Sequence, residues 1–149
     1  MEHYINLKGS AFTAIGVMGA FIANMLGGWD TALQTLCIFM VVDYITGLIV
    51  AGVFHKSGKT STGALQSNAC WKGLLKKGMT LLIILVAEQL DLVTGTTFVR
   101  DGAIIAYTVN ECLSIIENAG LMGIPIPNVL VEAMELLKKK NESDAKKVE

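Results

Sequence analysis

Charge is scarce in this chain: Asp, Glu, Lys and Arg together make up 17% of 149 residues, while 52% are hydrophobic and the mean hydropathy is +0.54. Water-soluble domains carry about 25% charged residues, so this composition excludes that class and indicates an integral membrane protein. Cysteine is limited to Cys37, Cys70 and Cys112, three isolated thiols without a paired spacing, which argues against a disulfide framework and against a zinc site. Histidine occurs only as His3 and His55, outside the apolar runs, leaving no Ser–His or Cys–His pairing for nucleophilic catalysis. Acidic residues are missing altogether from His55 to Gly78, and arginine is reduced to Arg100. The N-terminus lacks a positive region and a small-residue cleavage pattern, so its apolar stretch is expected to be retained.

What is present is a series of apolar runs. The first, 11–28, is near the lower limit for crossing a hydrocarbon core of ~30 Å. Gly16, Ala20 and Gly27 fall on a small-residue face of it that would let another helix approach. Residues 31–53 are long enough to span and carry Asp43 near the middle, with Gly47 and Ala51 as a second small-residue pair. The stretch 54–78 reads as a basic loop holding Lys56, Lys59, Lys72, Lys76 and Lys77, cytoplasmic by the positive-inside rule and able to touch anionic headgroups. Five residues separate Gly52 from its Gly58-Lys59-Thr60 where a phosphate-binding loop has four, and no strand precedes it, so a nucleotide site is not indicated. One aromatic, Trp71, among these lysines gives no support for nucleic-acid binding.

The third run, 79–92, follows Lys76 and Lys77, which are placed to reach the inner interface. It ends with Glu88 and Asp91, expected near the outer end and in reach of Arg100. The fourth, 101–119, combines Tyr107, Asn110, Glu111, Ser114, Glu117 and Asn118 at spacings of three and four, which makes one polar stripe on a helix. A charge near the membrane midplane costs at least ~2.5–3.5 kcal/mol, so such a stripe must face a bundle interior, a water-filled cavity or a partner. Pore lining and interhelical bonding both satisfy that requirement, as they do for Asp43. Pro125 and Pro127 stop the run; 128–140 reads as a short amphipathic helix too short to span, and 141–149 as a disordered tail. The expected fold is an all-α integral membrane protein of about four transmembrane helices plus this C-terminal amphipathic helix, homo-oligomeric, with both termini cytoplasmic. A three-span version, its first run lying on or outside the membrane, is the alternative.

Asp43-Tyr44-Ile45-Thr46-Gly47, the KTSTGALQSNACWKGLLKKG stretch, Asp91 and above all NECLSIIENAGLMGIPIP resemble the small phage-lysis and toxin-secretion holins of Gram-positive bacteria and their prophages. The likeness covers roughly Asp43 to Leu137; the first forty residues carry no matching motif, and Cys112 is a thiol inside the signature. The resemblance implies a non-enzymatic, cofactor-free protein that oligomerises in the cytoplasmic membrane and opens lesions through which an endolysin or a large toxin leaves. A small ion channel or proton-coupled transporter is the competing class, since Asp43 and Glu111 could relay protons or bind a cation. An intramembrane enzyme would require those two carboxylates to form a dyad.

Overall fold

The structure, a computed structural model, describes residues 2–60, 62–133, 135, 136 and 139, with side chains from residue 9 onward apart from residue 11. It is built of helices: α1 (Glu2–Met25), α2 (Thr31–Ile49) continued by a π-helical segment (Val50–Phe54), α3 (Ser67–Thr94) and α4 (Phe98–Leu121). Residues 128–133 are also helical, which bears on the expected amphipathic helix; much of the rest of that segment and the tail 141–149 lie outside the described residues. No strand occurs among the described residues.

Thr31–Phe54, 24 residues, is the helix among the described residues that is long and apolar enough to cross a membrane. At 1.5 Å per residue it extends about 36 Å, beyond the ~30 Å of hydrocarbon. A shorter apolar helix covers Phe12–Met25. Asp30 starts α2, its Oδ1 accepting from the Leu33 amide at 2.8 Å, which satisfies one of the orphan N–H groups of the first turn.

Helix α3 departs most from the expected boundaries. Ser67–Gly78, read as loop because Gly73, Gly78 and three lysines interrupt its apolar pattern, is the first part of one helix of 28 residues. The turn itself is confined to residues 55–66. Gly63 closes it with φ +69°, and a Cβ there would lie 2.2 Å from the His55 carbonyl oxygen, so only glycine fits. Helix α4 likewise begins and ends beyond 101–119.

Helix α4 packs along both α2 and α3, which touch one another little; among the described residues α1 has no extensive packing against them. A small apolar core of Leu26, Leu33, Leu36, Met40, Ile84 and Ile104 joins the three packed helices. Asp43, Asp91, Arg100, Glu111 and Asn118 are also buried, while Ile38, Val41, Leu82, Val86 and Leu90 are exposed. Polar groups inside and large aliphatic side chains outside reverse the pattern of a water-soluble bundle and suit a surface bathed in lipid.

Candidate functional site

The polar stripe of α4 turns partly inward: Glu111 and Asn118 are buried and Tyr107 and Ser114 half-buried, while Asn110 and Glu117 are exposed. Glu111 is buried against the Lys77 ammonium of α3, and the same ammonium donates to Asp43 Oδ2 of α2 at 2.8 Å. The side chains of Lys77, Asp43 and Glu111 are only 14%, 8% and 9% exposed. Two turns further along α4, Asn118 Nδ2 donates to Asp43 Oδ1 at 3.2 Å and to Thr46 Oγ1 at 2.9 Å. A Cβ at Gly47 would sit 3.8 Å from that amide nitrogen, in ordinary contact, so these bonds do not require glycine there. Three helices are thus tied at one level by a cation held between two acids.

This corrects the reading of Lys77 as a topology lysine. Each of its two partners is 34 residues away in the chain, a separation that no local periodicity encodes. The signal available was chemical: two carboxylates inside an apolar bundle need a cation, because the effective cost of desolvating an unpaired ion is several kcal/mol. Lys77, the last of the basic stretch, lies closest to the run that had to supply it. No described buried side-chain nitrogen or oxygen lacks a hydrogen-bond partner, so the seam is compensated although its charges do not sum to zero.

Beside the triad a cavity of about 610 Å³ opens between α2, the 55–66 turn, α3 and α4. Asp43, Tyr107, Asn110, Glu111, Ser114 and Glu117 line it, as do Gly47, Ala51, Lys59, Lys72, Lys76 and Lys77. Among the expected site residues, Asn118 instead joins the triad's bonds, and Lys56 is exposed on the turn. Gly16 has open space around it and Ala20 is exposed, so their small-residue face meets no described neighbour within this chain.

Gly27 belongs to a second cluster at the opposite end. Its φ is +86°, and a Cβ would meet Glu88 Oε2 at 2.5 Å and Arg100 Nε at 2.6 Å. The Arg100 guanidinium donates from Nε to the Leu26 carbonyl at 2.6 Å, from Nη2 to the Gly28 carbonyl at 3.3 Å and from Nη1 to Asp30 Oδ2 at 2.7 Å. Glu88 lies 3.6 Å from Nε, which is the pairing expected for Arg100. Asp91 serves differently: its carboxylate accepts the α4 amides of Val99 at 3.1 Å and Arg100 at 2.8 Å, with the Thr96 hydroxyl as a further donor. That is an N-cap supplied by a neighbouring helix. Burial pushes the Asp30 carboxyl up, but the hydrogen bond from Arg100 and the Leu33 amide outweigh it and hold the group below the usual carboxylate range.

The profile of the bacteriophage holin family matches residues 20–139. The chain belongs to that family. The chain is 37% identical over 142 residues, 94% of its own length, to an uncharacterised 14.9 kDa protein encoded in the 3′ region of nagH in Clostridium perfringens, covering 99% of that protein. It is 35% identical over 130 residues to the uncharacterised Listeria monocytogenes protein Lmo0128, spanning 87% of each chain. It is also 28% identical over 116 residues to the probable holin of Bacillus phage phi105, covering 77% of this chain and 80% of that one. No solved structure matches it significantly. The family and the apolar helix together make this a membrane protein, and the triad and cavity lie within the matched region.

Proposed function

We propose that this holin accumulates in the cytoplasmic membrane, associates with copies of itself and opens lesions that release an endolysin or a large toxin from the cytoplasm. The observation that carries the reading is the seam of Lys77, Asp43 and Glu111 inside the protomer. A membrane helix with charges of this kind is tolerated in lipid while they are paired, and the same side chains are able to line water once helices separate. Family membership and the likeness to the phi105 probable holin support the assignment. In this reading α2, α3 and α4 span the bilayer, with Lys77 and Asp91 of α3 and Arg100 and Glu111 of α4 turned inward, and α1 makes a fourth span. The 55–66 turn and both termini are cytoplasmic. The unpartnered face of α1 around Gly16 and Ala20 is where copies meet, and the protein works without enzymatic chemistry or a cofactor.

A second reading has one specific observation in its favour. The polar-lined cavity beside the triad is the kind of wet space that a narrow ion path or a proton-coupled transporter requires. Size separates the two. Expressed alone in bacterial cells, this chain is expected to release a cytosolic protein-sized marker together with a small impermeant dye, abruptly and after a delay. Release of the dye without the protein would overturn the lesion reading in favour of the narrow path.

A further inference from the structure

The cavity has a second chemical character that neither the triad nor lesion formation uses. Its buried floor holds Asp43 and Glu111, both already bonded to Lys77. Its exposed end carries the side chains of Lys59, Lys72 and Lys76 against a single carboxylate, Glu117. Among the described residues no carboxylate pairs with any of these three lysines. The cavity lining holds four lysines against the three carboxylates Asp43, Glu111 and Glu117, an excess of positive charge that an anion seated among the outer lysines offsets. The hydroxyl-bearing Ser57, Thr60 and Tyr44 line the same space, alongside apolar Leu48, Leu65 and Leu113. About 610 Å³ falls within the ~300–1,000 Å³ usual for small-ligand sites.

The level of the cavity in the bilayer identifies the anion. Trp71, 61% exposed, stands on the first turns of α3 beside Lys72, while Trp29, 59% exposed, precedes α2 at the other end of the bundle. Exposed tryptophans favour the headgroup level, so this pair brackets the hydrocarbon and puts the lysine-rich opening among headgroups. We propose that Lys59, Lys72 and Lys76 form a binding site for the phosphate of an anionic phospholipid headgroup, with the apolar wall of the cavity receiving the adjoining part of the lipid. The assignment rests on the membrane location of the chain and not on lesion formation, so it stands or falls separately from the proposed function.

The test uses the full chain reconstituted in nanodiscs containing equal phosphatidylglycerol and phosphatidylcholine, extracted gently and weighed intact by native mass spectrometry. Phosphatidylglycerol is expected to be retained in preference, and each Lys→Gln change at 59, 72 or 76 to lower that preference about five-fold, the equivalent of ~1 kcal/mol per basic residue near an anionic surface. Lys56→Gln, on the exposed turn and outside the cavity lining, should leave it unchanged, and Lys59→Arg/Lys72→Arg/Lys76→Arg should keep it, which separates loss of charge from loss of fold. Inorganic phosphate added to the detergent-solubilised protein forms the second arm. Phosphatidylglycerol retained in the face of excess phosphate supports the lipid headgroup. Displacement by phosphate, or binding of phosphate without lipid preference, overturns that source in favour of a soluble phosphate. Equal retention of both lipids by the unmodified chain, or a preference that survives Lys59→Gln/Lys72→Gln/Lys76→Gln, overturns the site.

Discussion

Removing the Lys77 ammonium is the most demanding test of the helix seam. Lys77→Met keeps the length and apolar stem of the side chain but leaves Asp43 and Glu111 buried with no cation. Breaking a buried pair by deleting one partner costs about 3–5 kcal/mol, because the remaining ion cannot recover its hydration. Here two acids are stranded, so the upper half of that range is expected unless one of them takes up a proton. Glu111→Gln is predicted to do far less, since it leaves a one-to-one pair between Lys77 and Asp43 at 2.8 Å and still offers a carbonyl oxygen to the ammonium. The triple change Asp43→Asn/Lys77→Met/Glu111→Gln removes all three charges and should regain most of the loss, as neutral replacements of buried ion groups often do. The assay is reversible unfolding of the purified chain in mixed detergent micelles, read by helical circular dichroism, for all four proteins. If Lys77→Met is as stable as the parent chain, or the triple variant is no more stable than Lys77→Met, the triad is not what ties α2, α3 and α4 together. On the proposed lesion-forming function, the same series in cells should shorten the delay before membrane failure in the order of lost stability.

Three further outcomes follow from the Arg100 end. Gly27→Ala should cost about 1–3 kcal/mol, since its φ of +86° is strained for alanine and the new methyl meets Glu88 and Arg100. Gly28→Ala, at φ +99° with open space around it, should cost less in the same unfolding experiment. Arg100→Lys keeps the charge but loses the fork that reaches Leu26, Gly28 and Asp30 together, so a loss of about 1–3 kcal/mol is expected where a purely Coulombic role would show almost none. The Asp30 carboxyl titrates below its unfolded value in the folded chain. Its stabilisation is therefore complete above the ordinary carboxylate pKa and disappears as pH falls through the lower, folded value. The stability difference between the parent and Asp30→Asn should be constant near neutrality and shrink in acid; a difference that grows in acid would contradict the placement of Arg100 over this group.

Much of this protein was legible without coordinates, and the division follows the range of each interaction. Membrane class came from composition, and the α2 span from a continuous apolar run. The stripe from Tyr107 to Asn118 came from spacings that depend only on 3.6 residues per turn; the structure turns it onto Asp43 and Lys77. The family was carried by a gapless motif that runs from the second half of α4 through Pro127, and the match over 20–139 agrees with it. Helix α3 was misjudged over Ser67–Gly78 because glycine and lysine are only weak local evidence against a helix, and this exposed to half-buried stretch continues into the part of α3 whose Ile84, Ala87 and Asp91 are buried.

What only the tertiary structure decided is which charges meet. A helical pattern fixes the face on which Asp43, Lys77 or Glu111 stands, but not the rotation or axial register of one helix against the next. Those two quantities choose whether Lys77 reaches inward to a pair of acids or outward to headgroups, while Lys59, Lys72 and Lys76 stay at the cavity's open end. They also bring Arg100 back to Leu26, 74 residues earlier. Sequence determined that buried charge existed and had to be answered; packing in three dimensions determined which residue answers it.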